Sequence, residues 1–418
     1  MTVYPLSVVR TLALVTQGLV NANDQTNKPG LEAQSAMVEQ VAAVQIDTLQ
    51  MVQRSHFLVM WSRLGNYAVE DFEKLAYDPE HRRLFEGWMH AASILPLRDY
   101  RFQIPHQQQA KNEGSSWYGN WIKQPGNREL LDEVRLRLHQ EGGLRSQDFE
   151  YAGPKRGAWW DWKPAKIALE HLHTYGEVMI ASRVNFQRVY DLTERVLPDW
   201  VDLTVPTIEE RNRYWTELGA YALGICRVDQ AGDYSQRKKT SLRPVLRDLL
   251  KDEVLLPIQA RLADGEIHEL VVHRDNLPLL ERVADGEIKA ERTTFLSPFD
   301  SLFWARQRDQ QFWNFRQVLE AYKPSAQREW GYFCLPILHK ERLIGRFDPK
   351  LDRKHGVLHL KKLYLEPTET ISPELIAGVA CAFTNFLEFH NAHELLIEHS
   401  LPSEFGDALL AALPLNSL

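Results

Sequence analysis

The sequence predicts an α+β fold in which tandem winged-helix units precede a small antiparallel β-rich region and a C-terminal helix. Three observations carry this. Amphipathic segments of helical length fill most of the chain before Phe295, stretches that alternate like paired strands close two groups of them, and short strands take over from Phe295 onward. At 418 residues the chain exceeds a single domain of about 100–150 residues.

A first unit, 1–127, opens with a helix over Leu6–Val20, Gly18 standing near its end, and a polar loop over Asn21–Gly30. Further helices are expected over Leu31–Ala42 and Thr48–Leu64, the latter stopped by Gly65-Asn66. Phe72–Leu84 and Phe85–Ile94 also read as helical, and Phe102–Arg128, rich in Gln, Gly, Ser and Trp, as a loop. A second unit, 128–205, has an amphipathic helix at Arg128–Gln140 closed by Gly142-Gly143, a short helix at Ser146–Phe149 and a helix from Lys163 to near Tyr175. Glu177–Tyr190 then alternates like a two-stranded ribbon, and three helices followed by a hairpin is the order of a winged helix. A third unit, 206–290, repeats the theme with helices Ile208–Leu223 and Leu242–Leu250. Its strands Val254–Arg261 and Ile267–Arg274 meet across Ala263-Asp264-Gly265. The β-rich region, 291–370, contains Trp330–Leu338, Arg342–Asp348 and Gly356–Leu360, and a tail, 371–418, reads as a helix from Ser372 to Ser400. The repetition is one of architecture, without a strict sequence period.

Composition sets limits on function. With 44% hydrophobic and 25% charged residues the chain can build a large core. A net charge of −7 excludes a protein basic all over but not a local basic face: Lys340–Leu363 holds eight Lys or Arg against three acids. The run Arg237-Lys238-Lys239 reads as a solvated loop. The tryptophans cluster at Trp117, Trp121, Trp159, Trp160 and Trp162, then at Trp304 and Trp313, a pattern that suits either base stacking or core packing. Cys226, Cys334 and Cys381 are scattered and lack metal spacing, as do the pairs His171/His173 and His355/His359, so neither a metal nor another cofactor is expected. With no cleavable leader and no long apolar run, a cytoplasmic protein without membrane contact is expected.

Gln45-Ile46-Asp47 is the most informative motif. If the stretch is extended, the carboxamide and the carboxylate point the same way, because strand side chains alternate faces. Such a pair can hold a water, with Asp47 as base or electrostatic partner and Gln45 as orienter. From spacing alone the same residues read more readily as a helix start, Asp47 capping a helix with Gln50 three positions on, and one residue can do both jobs.

Several separated stretches then resemble one family. Val44-Gln45-Ile46-Asp47-Thr48, Arg54-Ser55-His56, Ser62-Arg63-Leu64 and His90-Ala91-Ala92-Ser93 before Leu95-Pro96 are followed by Leu296–Leu302, Gly331–Leu338 and Arg342–Asp348. In this order they are similar to the winged-helix DNA glycosylases of the AlkZ/AlkX (YcaQ-like) type. The resemblance implies three tandem winged-helix units, excision of N7-alkylated purines, unhooking of interstrand crosslinks, and a catalytic Gln-apolar-Gln or Gln-apolar-Asp motif. Gln45 and Asp47 match the second, AlkX kind. Two departures stand out: Ala305 follows Trp304 where the family usually has an acid, and Asn314 stands where Gly is common.

On this resemblance Asp47 stabilises positive charge on the sugar and aims a water while Gln45 positions it, and no catalytic amine is implied. Arg54 and His56 after the motif, with Arg342, Arg346 and Lys350 in the basic hairpin, are candidate contacts to double-stranded DNA carrying alkylation damage or crosslinks; Arg54 reads equally as an exposed helix residue, and His56 at least as readily as a core residue. Asp300, in Ser297-Pro298-Phe299-Asp300, is either a residue lining the site or a turn former. A monomer associated with the nucleoid is expected. The rival reading is a non-catalytic winged-helix transcriptional regulator, which would favour one operator and act as a symmetric dimer.

Overall fold

A computed structural model describes residues 2–21, 28–112, 117–149, 164–236 and 239–413. Trp159, Trp160, Trp162, Arg237 and Lys238 lie outside these residues, and with them the stacking or packing expected of the paired tryptophans and the loop expected over the basic run. The chain forms two compact units. One comprises Met1–Val69, Met89–Ser93 and Asn212–Leu418, the other Glu70–Trp88 and Ile94–Arg211. No helix among the described residues is long and apolar enough to cross a membrane.

In the first unit, helix Leu6–Thr16 buries Val8, Val9, Leu12, Ala13 and Leu14, and the chain leaves it through Gly18 at φ 69°. Its apolar face shares a core with Ile258, Leu270, Leu280, Phe312, Phe315 and Leu338. A four-stranded sheet runs in the order Val3–Tyr4, Leu255–Arg261, Ile267–His273, Ile225–Cys226. Its central hairpin turns at Ala263-Asp264-Gly265, with Gly265 at φ 85°, where a β-carbon is unfavourable. Thr293–Phe295, Leu335–His339, Arg342–Asp352 and Val357–Leu365 form an antiparallel ladder. Helix Pro373–Phe389, capped by Ser372 and opened by Pro373, brings Phe383 and Phe386 against Phe295 and Phe347 of that sheet.

In the second unit, helices Asn127–Glu141 and Pro164–Thr174, the short helical turn Ser146–Asp148 and the hairpin Val178–Val184/Gln187–Leu192 stand close to their expected positions. They enclose Leu131, Val134, Leu138, Leu169, Leu172 and Ile180. Glu86 is buried against Arg183, Nε to Oε1 at 2.6 Å, and accepts from the Tyr77 hydroxyl at 2.7 Å. Burial pushes the Glu86 carboxyl up, but Arg183, Arg188 and Tyr77 more than reverse this and hold it at about 2.

Six expectations are corrected. Phe85–Ile94 is not helical: Leu84–Trp88 and Ala92–Pro96 are strands, mostly buried, and a short apolar run has no period that distinguishes the two. Helix Val69–Tyr77 ends well before Leu84. The expected loop at Phe102–Arg128 contains helices Ile104–Asn112 and Trp117–Ile122. The first of these buries only Pro105, so it has no apolar stripe to read. The helix expected from Thr48 begins at Ser55. The tail helix stops at Phe389, and Asn391 at φ 52° turns the chain into strand Glu394–Ile397. That strand and Ser400–Leu401 run parallel to Val357–Leu365, so the sheet is mixed and not purely antiparallel.

Candidate functional site

Val44 and Ile46 are buried, at 1% and 9% exposure, while Gln45 and Asp47 between and after them are partly open. The extended register continues past strand Val44–Gln45, since the Ile46 N–H donates to the Ala92 carbonyl at 2.8 Å. Gln45 and Asp47 therefore share the accessible side. Asp47 caps no helix. Its Oδ1 accepts from the Leu49 N–H at 2.7 Å, a local turn two residues long. Partial burial pushes the Asp47 carboxyl up from its ordinary value, opposed by the Leu49 and Thr48 amides and by Arg54.

The stretch between Asp47 and Ser55 is held out of helix by two bonds from the β-hairpin and one from its own Arg54. The Met51 carbonyl accepts from Leu351 N–H at 3.0 Å, the Val52 carbonyl from Arg353 Nη2 at 2.5 Å, and the Thr48 carbonyl from Arg54 Nη1 at 3.2 Å. Carbonyls engaged this way are not available to a helical ladder. Arg54 thus lies back along the motif loop, beside Asp47. His56, in the first turn of helix Ser55–Leu64, is buried at 5% exposure with its ring 4.1 Å from that of Phe57, which corrects its expected place on a DNA-facing surface.

Asp300 does not line the site. It is fully buried and pairs bidentately with Arg63, Nη2 to Oδ1 at 2.7 Å, while its Oδ1 also accepts from Leu302 N–H at 3.0 Å. Arg63 reaches the Gln17 carbonyl at 3.1 Å, and Ser301 donates to Gln17 Oε1 at 2.6 Å. Gln17 in turn donates to the Ala222 carbonyl at 2.7 Å. The network ties the end of the first helix, helix Ser55–Leu64 and the Ser-Pro-Phe-Asp turn into one buried knot.

The basic hairpin is partly neutralised. Lys340 pairs with Glu374, Arg342 with Glu369, Arg346 with Glu366 and Lys361 with Glu398. Arg346, 1% exposed, lies 4.0 Å from the Phe315 ring centroid and 4.3 Å from that of Trp330, so its expected role as a surface contact is corrected. Lys350 is exposed, as are Arg353 and Lys354 at the turn that follows, where Asp352 accepts from the Lys354 and His355 N–H groups. These three stand on the strand and turn that hold the motif loop.

One residue near the motif gave no signal in the sequence. Tyr322 is 73% exposed, yet its hydroxyl is pushed up by partial desolvation and then by the Asp47 carboxylate and Tyr332. A lone aromatic in a polar, aperiodic stretch carries no pattern that would single it out.

The family profile described as DNA glycosylase AlkZ-like matches residues 38–389. This chain belongs to the AlkZ-like DNA glycosylases. Among solved structures, the Streptomyces sahachiroi DNA glycosylase AlkZ superposes with a TM-score of 0.62 at 15% identity, covering 95% of this chain and 100% of that one. At that identity the likeness speaks for the fold. Within this AlkZ-like chain, Asn314 adopts φ 47° just after helix Arg308–Trp313. Asn is the residue besides Gly that tolerates this region, so the departure preserves the backbone. Ala305 is buried at 1% exposure. Several stretches that carried the resemblance, Ser62–Leu64 and Leu296–Leu302 above all, belong to the buried knot and its surroundings.

Proposed function

We propose that this protein is a monofunctional DNA glycosylase that hydrolyses the N-glycosidic bond of N7-alkylated purines and unhooks interstrand crosslinks joined through them. The observation that carries the reading is the alternation Val44 in, Gln45 out, Ile46 in, Asp47 out, which puts a carboxamide and a carboxylate on one accessible side beside an exposed cationic turn. N7 alkylation makes the purine cationic, so it leaves without a general acid. As the C1′–N9 bond breaks, its electron pair passes to the base and positive charge develops on the sugar. The Asp47 carboxylate stabilises that charge and takes a proton from the water that Gln45 orients toward C1′. The products are a free base and an abasic site, with the strand intact.

A crosslinked base cannot be enclosed in a tight pocket, and a partly open Gln45/Asp47 side suits it. Lys350 and Lys354 are the phosphate contacts we assign, with Arg54 shaping the loop. The helix–helix–hairpin order in 127–192 and the hairpin 255–273 support a winged-helix description, and Gln-Ile-Asp supports the AlkX branch. We place the enzyme, as a monomer, on chromosomal DNA in the cytoplasm.

The test is base release from duplex DNA carrying N7-methylguanine, wild type beside Asp47→Asn. Release that falls by about a hundredfold or more in the variant, with DNA binding retained, is the expected result. Equal release by both proteins sinks the role of Asp47, and binding without release by either favours a regulator. Borohydride trapping of a covalent DNA complex would overturn the monofunctional assignment.

A further inference from the structure

We propose that Tyr322 is the stacking platform on which the damaged, cationic purine is recognised at Asp47. The inference rests on the glycosylase reading and extends it to how the base is selected. Three observations carry it. The ring is 73% exposed although it sits in a loop that is otherwise tightly held. Glu320, two residues earlier and 2% exposed, accepts from the Trp330 N–H at 2.8 Å and from Lys323 Nζ at 2.8 Å. Arg328 donates to the Lys323 carbonyl at 3.0 Å and lies 4.8 Å from the Tyr332 ring centroid.

Second, this loop and the motif loop hang from the same strand, Arg342–Asp352. Asp348 accepts from the Tyr332 and Phe333 N–H groups at 2.8 and 2.9 Å, and Leu351, three residues on, holds the Met51 carbonyl. Three strand residues span roughly 10 Å, so the anchor points of the two loops are neighbours on one strand. Gly331 serves this arrangement, since a β-carbon there would meet the Asp348 carboxylate at 2.4 Å. Third, the Asp47 carboxylate is close enough to perturb the Tyr322 hydroxyl.

The negative face of a phenol attracts a cation, and stacking tolerates different substituents on the base. An N7-alkylated purine presents both a flat surface and a positive charge. That charge disappears as the glycosidic bond breaks, so the interaction favours binding of the damaged base more than the bond-breaking step.

The experiment is single-turnover base release from N7-methylguanine duplex as enzyme concentration is varied, for wild type, Tyr322→Ala, Tyr322→Phe and Tyr322→Trp. Binding to a duplex with a tetrahydrofuran abasic site is measured in parallel. We expect Tyr322→Ala to raise the half-saturating concentration about tenfold or more, with little change in maximal rate, thermal melting or abasic-duplex affinity. The Phe and Trp variants should match wild type. An alanine variant that behaves as wild type overturns the proposal. So does a Phe variant as impaired as Ala, which would assign the role to the hydroxyl, or an equal loss on the abasic duplex, which would make Tyr322 a backbone contact. In each of these cases release by the wild type leaves the glycosylase reading standing; a wild type that releases no base overturns both.

Discussion

Asp47 combines a half-buried carboxyl with amide donors that favour its ionised form, and the balance leaves its pKa above the ordinary 3.8. The ionised form is the one the mechanism uses. Activity should therefore fall on the acid side at a pH higher than an ordinary aspartate would set, and a pH–rate profile of base release checks this; an acid limb at or below the ordinary value speaks against Asp47 as the essential base. The same shift has a consequence for stability. A carboxyl whose pKa is raised by folding favours the fold when protonated, and that contribution is lost as pH rises through the folded pKa. At neutral pH the charged Asp47 is thus a small liability. Asp47→Asn, whose carboxamide oxygen can still accept from Leu49, should melt at or above the wild-type temperature while losing activity. A variant that melts lower would instead assign the carboxylate a structural role.

Elements in the first unit are joined by polar pairs that the chain pattern does not advertise. The Arg63–Asp300 pair is fully buried, so removing one partner strands the other's charge. Asp300→Ala is expected to destabilise the protein by about 3–5 kcal/mol. Denaturant unfolding measures this, and an effect under about 1 kcal/mol, as found for surface pairs, would show that the knot is dispensable. The motif loop illustrates the opposite case, in which an element is prevented. Capping chemistry at Asp47 and apolar spacing from Leu49 both predict a helix from Thr48, and hydrogen bonds from Leu351, Arg353 and Arg54 divert the carbonyls that helix would need. Local preference was outcompeted by two long-range bonds to the β-hairpin and one from Arg54 within the loop.

For the molecule as a whole, the excess of Lys and Arg in 340–363 overstates what DNA can meet, because four of those cations already hold acids from outside the run. The exposed pair Lys350 and Lys354 is the better measure. Replacing both by alanine should lower the magnitude of the salt slope of DNA binding by about one per lysine without changing base preference. A slope that stays the same would remove this turn from the interface. Much was legible beforehand. Amphipathic periods placed the helices Asn127–Glu141 and Ile208–Leu223, and Ala263-Asp264-Gly265 placed a hairpin turn, because these depend on neighbours three or four positions away or on a single left-handed residue. The alternation that exposes Gln45 and Asp47 was legible only as the less favoured of two readings, beside a helix cap at Asp47 that did not form. Burial of Arg346 and Asp300, the diversion of residues 48–54 and the bracing of the loop that carries Tyr322 were not legible. Each depends chiefly on partners between 10 and 301 positions away, and a linear pattern records which residues are charged or aromatic but not which of them the fold has already used.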